Sequence, residues 1–172
     1  MPKIDKSTAP RGEGTRYPTP FNTPCLQRRW HRLGDAAGLT QFGVNLLRLP
    51  PGTWSSQRHW HAHEDEFVYV LEGEVVLVTD AGEELMRAGD CAGFKAGVRD
   101  GHCLQNRASQ DAHILVVGSR LDHDHGEYPD IDLVFMAGRY SGQGGFRRKD
   151  GSPVSAAHES AESDRYRQQP GN

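Results

Sequence analysis

The chain has 172 residues, a formal net charge of −3 with its histidines neutral, and no strongly basic stretch, so nucleic acid is excluded as an expected partner. That length fits one domain with a buried core. No apolar run approaches the roughly 20 residues needed to span a bilayer, so no membrane partner is expected. Cys25, Cys91 and Cys103 are an odd number at wide spacing with no CxxC pair, and reduced thiols of a cytoplasmic protein are the simpler expectation. The stretch "MPKIDKSTAPRGEG" has no apolar h-region and is not read as a secretory signal.

Residues 1–24, rich in Pro, Gly, Thr and charge, are expected to form a flexible arm. Residues 25–148 are the expected folded domain, with Trp30, Leu33 and Leu39 as anchors near its start. From 42 to 118 the segments "FGVNLLRL", "EFVYVL", "EVVLVT", "EELMRAGD", "CAGF", "HCLQN" and "AHILVVGSR" are short, rich in β-branched residues, and punctuated by Gly, Asp and Pro. They recur at roughly the 8–12-residue spacing of a sandwich or barrel, and none keeps a helical period. Glu72-Gly73 is predicted to be a tight hairpin and Asp80-Ala81-Gly82 the next turn. "YPDIDLVF" predicts one more strand or an ordered strap, and residues 149–172 a disordered tail.

The chemistry concentrates in "HWHAHEDEFVYVLEGE". In a strand, residues i and i+2 share a face, so His59 and His61 point one way and Trp60 the other. A short turn, "AHED", leads to Glu66, which opens the next strand and projects beside the two imidazoles if the strands are neighbours. Two imidazoles and a carboxylate suit a first-row transition metal rather than calcium, which takes oxygen ligands. A further donor, His102, lies in "GDCAGFKAGVRDGHCLQN".

Residues 52–73 resemble the first motif of the cupin family through Gly52, His59, His61, Glu66 and Gly73. Residues 89–106 resemble the second through Gly89, Gly97, His102 and Asn106. Three features depart from the pattern. Gly52 is one residue further from His59, Lys95 replaces a proline, and the gap before His102 is two residues longer. That gap puts Asp100 at the strict histidine position; the interval from His102 to Asn106 favours His102 as the ligand, with Asp100 the alternative. The resemblance covers roughly residues 42–118. It implies an all-β, cupin-type double-stranded β-helix (jelly-roll) barrel with flexible arms. It also implies one divalent transition metal (Fe, Mn, Ni or Zn) on His59, His61, Glu66 and His102, with positions left open for substrate. "YPDID" and "RKDG" also resemble segments of small bacterial cupins labelled sugar-phosphate isomerases.

Other residues are read beside this set. His63 is expected in an exposed turn, and His123-Asp124-His125, a second HxH without strand flanks, in a surface loop. Trp60, Phe67, Tyr69 and Leu71 face away from the metal, towards either the N-terminal segment or a homodimer interface. Arg48 either enters the barrel to hold an anionic substrate or lies outside as a solvated charge. Tyr128, Asp130 and Asp132 either close the barrel mouth, with Tyr128 or Asp130 as acid or base, or form a turn and strap. Cys103, facing opposite to His102, is expected to be a buried thiol. The implied function is metal-dependent chemistry on a small polar molecule. It takes one of two forms: Lewis-acid isomerisation, epimerisation or lyase chemistry, or Fe(II)-dependent dioxygenation. The alternative is a non-catalytic ligand-binding or sensing module.

Overall fold

The computed structural model describes residues 3–154. Its strands are β1 (Arg11–Glu13), β2 (Arg29–Arg32), β3 (Phe42–Leu49), β4 (Trp60–His61), β5 (Glu66–Glu72), β6 (Glu74–Thr79) and β7 (Gly82–Arg87). They continue with β8 (Cys91–Phe94), β9 (Cys103–Gln105), β10 (Ala112–Ser119), β11 (Gly126–Tyr128), β12 (Leu133–Phe135) and β13 (Phe146–Arg147). A single α-helical turn, α1 (Leu33–Ala36), joins β2 to β3. Three antiparallel sheets result, with orders β1-β2-β3-β10-β5-β8, β13-β12-β11-β4 and β7-β6-β9.

The core follows from alternation along the strands. Leu47 and Leu49 of β3, Val68 and Val70 of β5, and Ala112 and Ile114 of β10 point inward from the six-stranded sheet. They meet Val75, Leu77, Met86 and Leu104 of the three-stranded sheet. Leu49, Val70 and Ile114 are wholly buried, and each such side chain contributes about 1.5–3 kcal/mol through removal from water. A second apolar cluster, Tyr128, Leu133 and Phe135 with Tyr17, Phe21 and Phe146, lies under the four-stranded sheet. The two clusters flank the site described below.

The structure corrects several local expectations. Glu72-Gly73 is not a hairpin, because β5 pairs with β8 and β10 whereas β6 pairs with β7 and β9. Gly73 (φ +77°) bends the chain from one sheet into the other, and an added Cβ there would lie 2.5 Å from the Asp111 carbonyl oxygen. The turn before Gly82 is a hairpin as expected, with Thr79 opposite Gly82. "YPDIDLVF" holds the end of β11 and all of β12, paired with each other across a tight turn.

The N-terminal segment is docked rather than free. β1 pairs with β2, Ala9 and Cys25 are buried, and Tyr17 and Phe21 pack into the second cluster. Its overall composition masks these scattered anchors. At the other end, β13 and the bridge from Arg147 to Pro153 carry regular structure past residue 148. The remainder of the expected tail, residues 155–172, lies outside the described residues. Among the described residues no helix is long and apolar enough to cross a membrane.

Candidate metal centre

Backbone pairing builds the site. His59 and His102 form a two-hydrogen-bond bridge, with His59 N–H donating to the His102 carbonyl (3.1 Å) and the reverse bond at 2.9 Å. β4 carries His61 beside His59, and Glu66 opens β5. His59 Nε2 lies 3.1 Å from His61 Nε2, while Glu66 Oε2 lies 3.7 Å from His61 Nε2 and 3.6 Å from His102 Nε2. All four expected ligands therefore come together.

The outer nitrogens decide what the inner ones can do. His59 Nδ1 lies 2.9 Å from the Gln57 carbonyl oxygen, which can only accept a hydrogen bond, and His61 Nδ1 lies 2.7 Å from an Asp124 carboxylate oxygen. Protons on both Nδ1 atoms leave both Nε2 atoms with lone pairs. Two such lone pairs 3.1 Å apart do not bond to each other and are reconciled by a cation between them. His102 is buried and neither of its ring nitrogens has a hydrogen-bond partner within the described residues, a costly arrangement that a ligated ion would relieve at one nitrogen. Three nitrogens and one carboxylate oxygen thus fit a divalent transition metal.

Electrostatics favour the ligating forms. Burial pushes the His59 imidazolium well below the usual histidine range, and His102 and His61 add to the effect. Burial alone raises the Glu66 carboxyl, but His102, His59 and His61 outweigh it and hold it at about 2. The ring of His102 stacks on Phe94 at 3.5 Å, Phe135 packs 5.0 Å from His61, and Tyr128 packs 5.8 Å from His59. Buried Tyr128 and Phe135 thus wall one side of the site, whereas Phe94 lines the cavity.

A carboxylate outside the barrel motifs orients the centre. Asp124 is 2 % exposed and accepts the amide N–H groups of His63 (2.8 Å) and Glu64 (3.3 Å) in addition to bonding His61. Burial opposes its ionisation, but the hydrogen bonds of His61 and the His63 amide outweigh it and hold its pKa below the usual range. Gly126 lets β11 lie against β4, where a Cβ would sit 2.0 Å from the Trp60 carbonyl oxygen; this brings residue 124 beside His61. Buried Glu64 accepts the Leu121 amide (2.7 Å), pairs with Arg139 and receives the Tyr140 hydroxyl (3.2 Å). Sequence reasoning placed Glu64 in the turn and missed its role, and it missed that of Asp124. The sole signal was a lone aspartate between two histidines.

A cavity of about 200 Å³ opens onto the site, with His61, His102, Phe94, Trp60, Lys95 and Asp100 in its wall. Asp100 thus lines the cavity, and its Oδ1 accepts the Asp80 amide (2.8 Å). Tyr128 is buried beside His59, and burial with Tyr17 alongside raises its phenol well above the ordinary value, so it remains neutral. Asp130 lies off the cavity wall, bound by Arg58 Nε at 2.8 Å and Nη2 at 2.6 Å. Arg48 projects from the opposite face to inward Leu47 and Leu49 and pairs with Asp111 at 2.6 Å. It therefore takes the solvated position rather than entering the barrel. His63, His123 and His125 are exposed, and Cys103 is buried, as expected. Trp60, expected to face away from the metal, instead lines the cavity, while Phe67, Tyr69 and Leu71 are exposed, so the N-terminal segment leaves them largely uncovered.

Residues 45–118 match the family model for a cupin domain. A sugar phosphate isomerase of the cupin superfamily from Silicibacter pomeroyi is 48% identical, over 90% of this chain and 98% of that one, with a TM-score of 0.85. A candidate sugar phosphate isomerase from Acidithiobacillus ferrooxidans is 31% identical, over 74% of this chain and 80% of that one, with a TM-score of 0.67. The polyketide cyclase RemF from Streptomyces resistomycificus, 22% identical over 69% of this chain and 79% of that one, shares the fold with a TM-score of 0.57. No match is found among curated proteins. With both histidine motifs on one barrel and an extensive relative at this identity, the chain belongs to the cupin superfamily.

Proposed function

We propose that the protein is a metal-dependent isomerase of a small phosphorylated sugar or a similar anionic polyhydroxy carbonyl compound. The observation that carries this reading is the clustering of His59, His61, His102 and Glu66 beside a small cavity whose wall holds His61, His102, Lys95 and Asp100. The similarity to a sugar phosphate isomerase supports the substrate class. A divalent ion (Fe, Mn, Ni or Zn) held by the four ligands would supply a Lewis acid to a carbonyl or hydroxyl oxygen. Lys95 attracts the anionic end of the substrate. Asp100 takes the proton from the hydroxyl-bearing carbon next to the carbonyl and returns it to the carbonyl carbon, while the hydroxyl proton passes to the former carbonyl oxygen, so the product keeps the substrate's formula. The ion pair of Asp130 with Arg58 speaks for Asp100 rather than Asp130 in that role, and neutral Tyr128 serves as a donor and packing group.

The proposal extends to a homodimer. Phe67, Tyr69 and Leu71 on the outer face of β5, with Leu115 and Val117 of β10 beside them, support association through that face. A cytoplasmic setting is supported by three free thiols.

The test is metal-loaded protein incubated with phosphorylated aldoses and ketoses in D₂O and followed by NMR. Interconversion with solvent deuterium at the exchanging carbon is expected. Asp100→Asn should lose turnover while retaining its metal. No interconversion or exchange with any such substrate, together with oxygen uptake by Fe(II)-loaded protein, would replace this reading with oxidative chemistry.

A further inference from the structure

A second group of imidazoles stands outside the barrel mouth. His63, in the turn after β4, has its ring centre 4.9 Å from that of His123 and 5.3 Å from that of His125. All three side chains are exposed. The pairs within the inner centre supply an internal comparison: His59 stands 4.9 Å from both His61 and His102. Rings sharing one tetrahedral ion, with metal–nitrogen bonds of about 2.0–2.1 Å, have centres about 5 Å apart. His63 therefore stands at ligating separation from both His123 and His125. Each centre lies close to its Cβ–Cγ axis, so rotation about χ2 turns a ring nitrogen inward with little movement of the ring centre.

The backbone holds this arrangement independently of the rings. The Ala62 amide donates to the His125 carbonyl oxygen (2.8 Å), and the His63 amide to Asp124 (2.8 Å). Asp122 accepts the amides of Tyr140 and Ser141, both at 3.0 Å, and so ties the other end of the loop. Asp124 points inward to His61, while the side chains of its two neighbours are exposed.

We propose that His63, His123 and His125 form a second, solvent-facing site for a borderline divalent ion such as Zn²⁺, with three imidazole ligands and water completing the shell. Three neutral nitrogens without a carboxylate select against Mg²⁺ and Ca²⁺. His123 and His125 share a loop with Asp124, and the His63 amide donates to the same carboxylate, so the two centres are joined through one residue.

Calorimetric titration of the untagged, metal-stripped full chain with Zn²⁺ tests this, with elemental analysis after buffer exchange. The His123→Ala/His125→Ala variant should bind one equivalent less than wild type, and His63→Ala should lose the same equivalent. These residues are exposed, so circular dichroism and thermal melting should match wild type. The difference between proteins is the readout, whatever the inner centre retains. Equal stoichiometry in wild type and the double variant would overturn the proposal.

Discussion

Asp124→Asn separates an orienting carboxylate from a merely filled space. The aspartate serves three N–H groups, with one oxygen on the amides of His63 and Glu64 and the other on His61 Nδ1. Asparagine has nearly the same shape but replaces one oxygen with a donor. If its oxygen stays on the two amides, its NH₂ faces His61 Nδ1 and drives the imidazole proton onto Nε2, the nitrogen that must bind metal. If the group flips, two amide donors at a 2 % exposed position lose their acceptor, at about 1–3 kcal/mol for each buried donor left unpaired. Because the flip strands two buried donors, the first arrangement prevails, and metal affinity should fall about 10- to 100-fold, or about 1.4–2.7 kcal/mol. A competitive chelator titration of the metal-free variant measures the loss, and circular dichroism checks that the barrel persists. Affinity within twofold of wild type, with the fold intact, would refute the assignment of Asp124 as the group that sets the His61 tautomer.

Further outcomes follow from other contacts. Burial pushes Cys25 and Cys103 up to about 11, whereas Cys91 is exposed. A thiol reagent at pH 8 should therefore modify Cys91 quickly in native protein and all three cysteines only after unfolding. Arg58 holds the Asp130 carboxyl below its usual range. The pair's contribution to stability is present above the unfolded value of about 3.9 and is lost as pH falls through the lowered folded value. Asp130→Asn should accordingly flatten the fall in stability below about pH 4 in urea titrations. Light scattering of wild type should give twice the 19.1 kDa chain mass, and Tyr69→Glu on the exposed face of β5 should shift it to one chain. A wild-type mass of one chain would sink the dimer.

Three of the four candidate ligands were legible because their geometry is local, and the fourth, His102, through its interval to Asn106 in the second motif. HxH places two rings on one face of a strand, and the short interval to Glu66 returns the chain beside them. The inward row of β5 was equally readable from Val68 and Val70. Elsewhere the same local signal has two structural outcomes. A glycine at positive φ closes a two-residue hairpin or, as at Gly73, bends a strand from one sheet to another, and only the partners of β5 and β6 distinguish them. Likewise, Tyr17 and Phe21 dock singly in a polar stretch, so no period reveals them. Asp124 and Glu64 were illegible as orienting groups because their partners lie about sixty residues or more away in the chain.

That division has a consequence for how the site works. The four ligands fall within residues 45–118, the stretch shared with the family model. The groups that aim and cover them come largely from later in the chain: Asp124 on His61, Arg139 on Glu64, and Phe135 and Tyr128 against the imidazoles. A barrel alone can collect three imidazoles and a carboxylate, but it leaves the His61 tautomer unset and one side of the site open to water. The four-stranded sheet built from β4 and β11–β13 supplies both functions, because pairing β11 with β4 brings the 122–125 loop to His61 and sets Tyr128 and Phe135 beside the rings. The chemistry proposed for this protein therefore depends on the segment beyond the shared motifs.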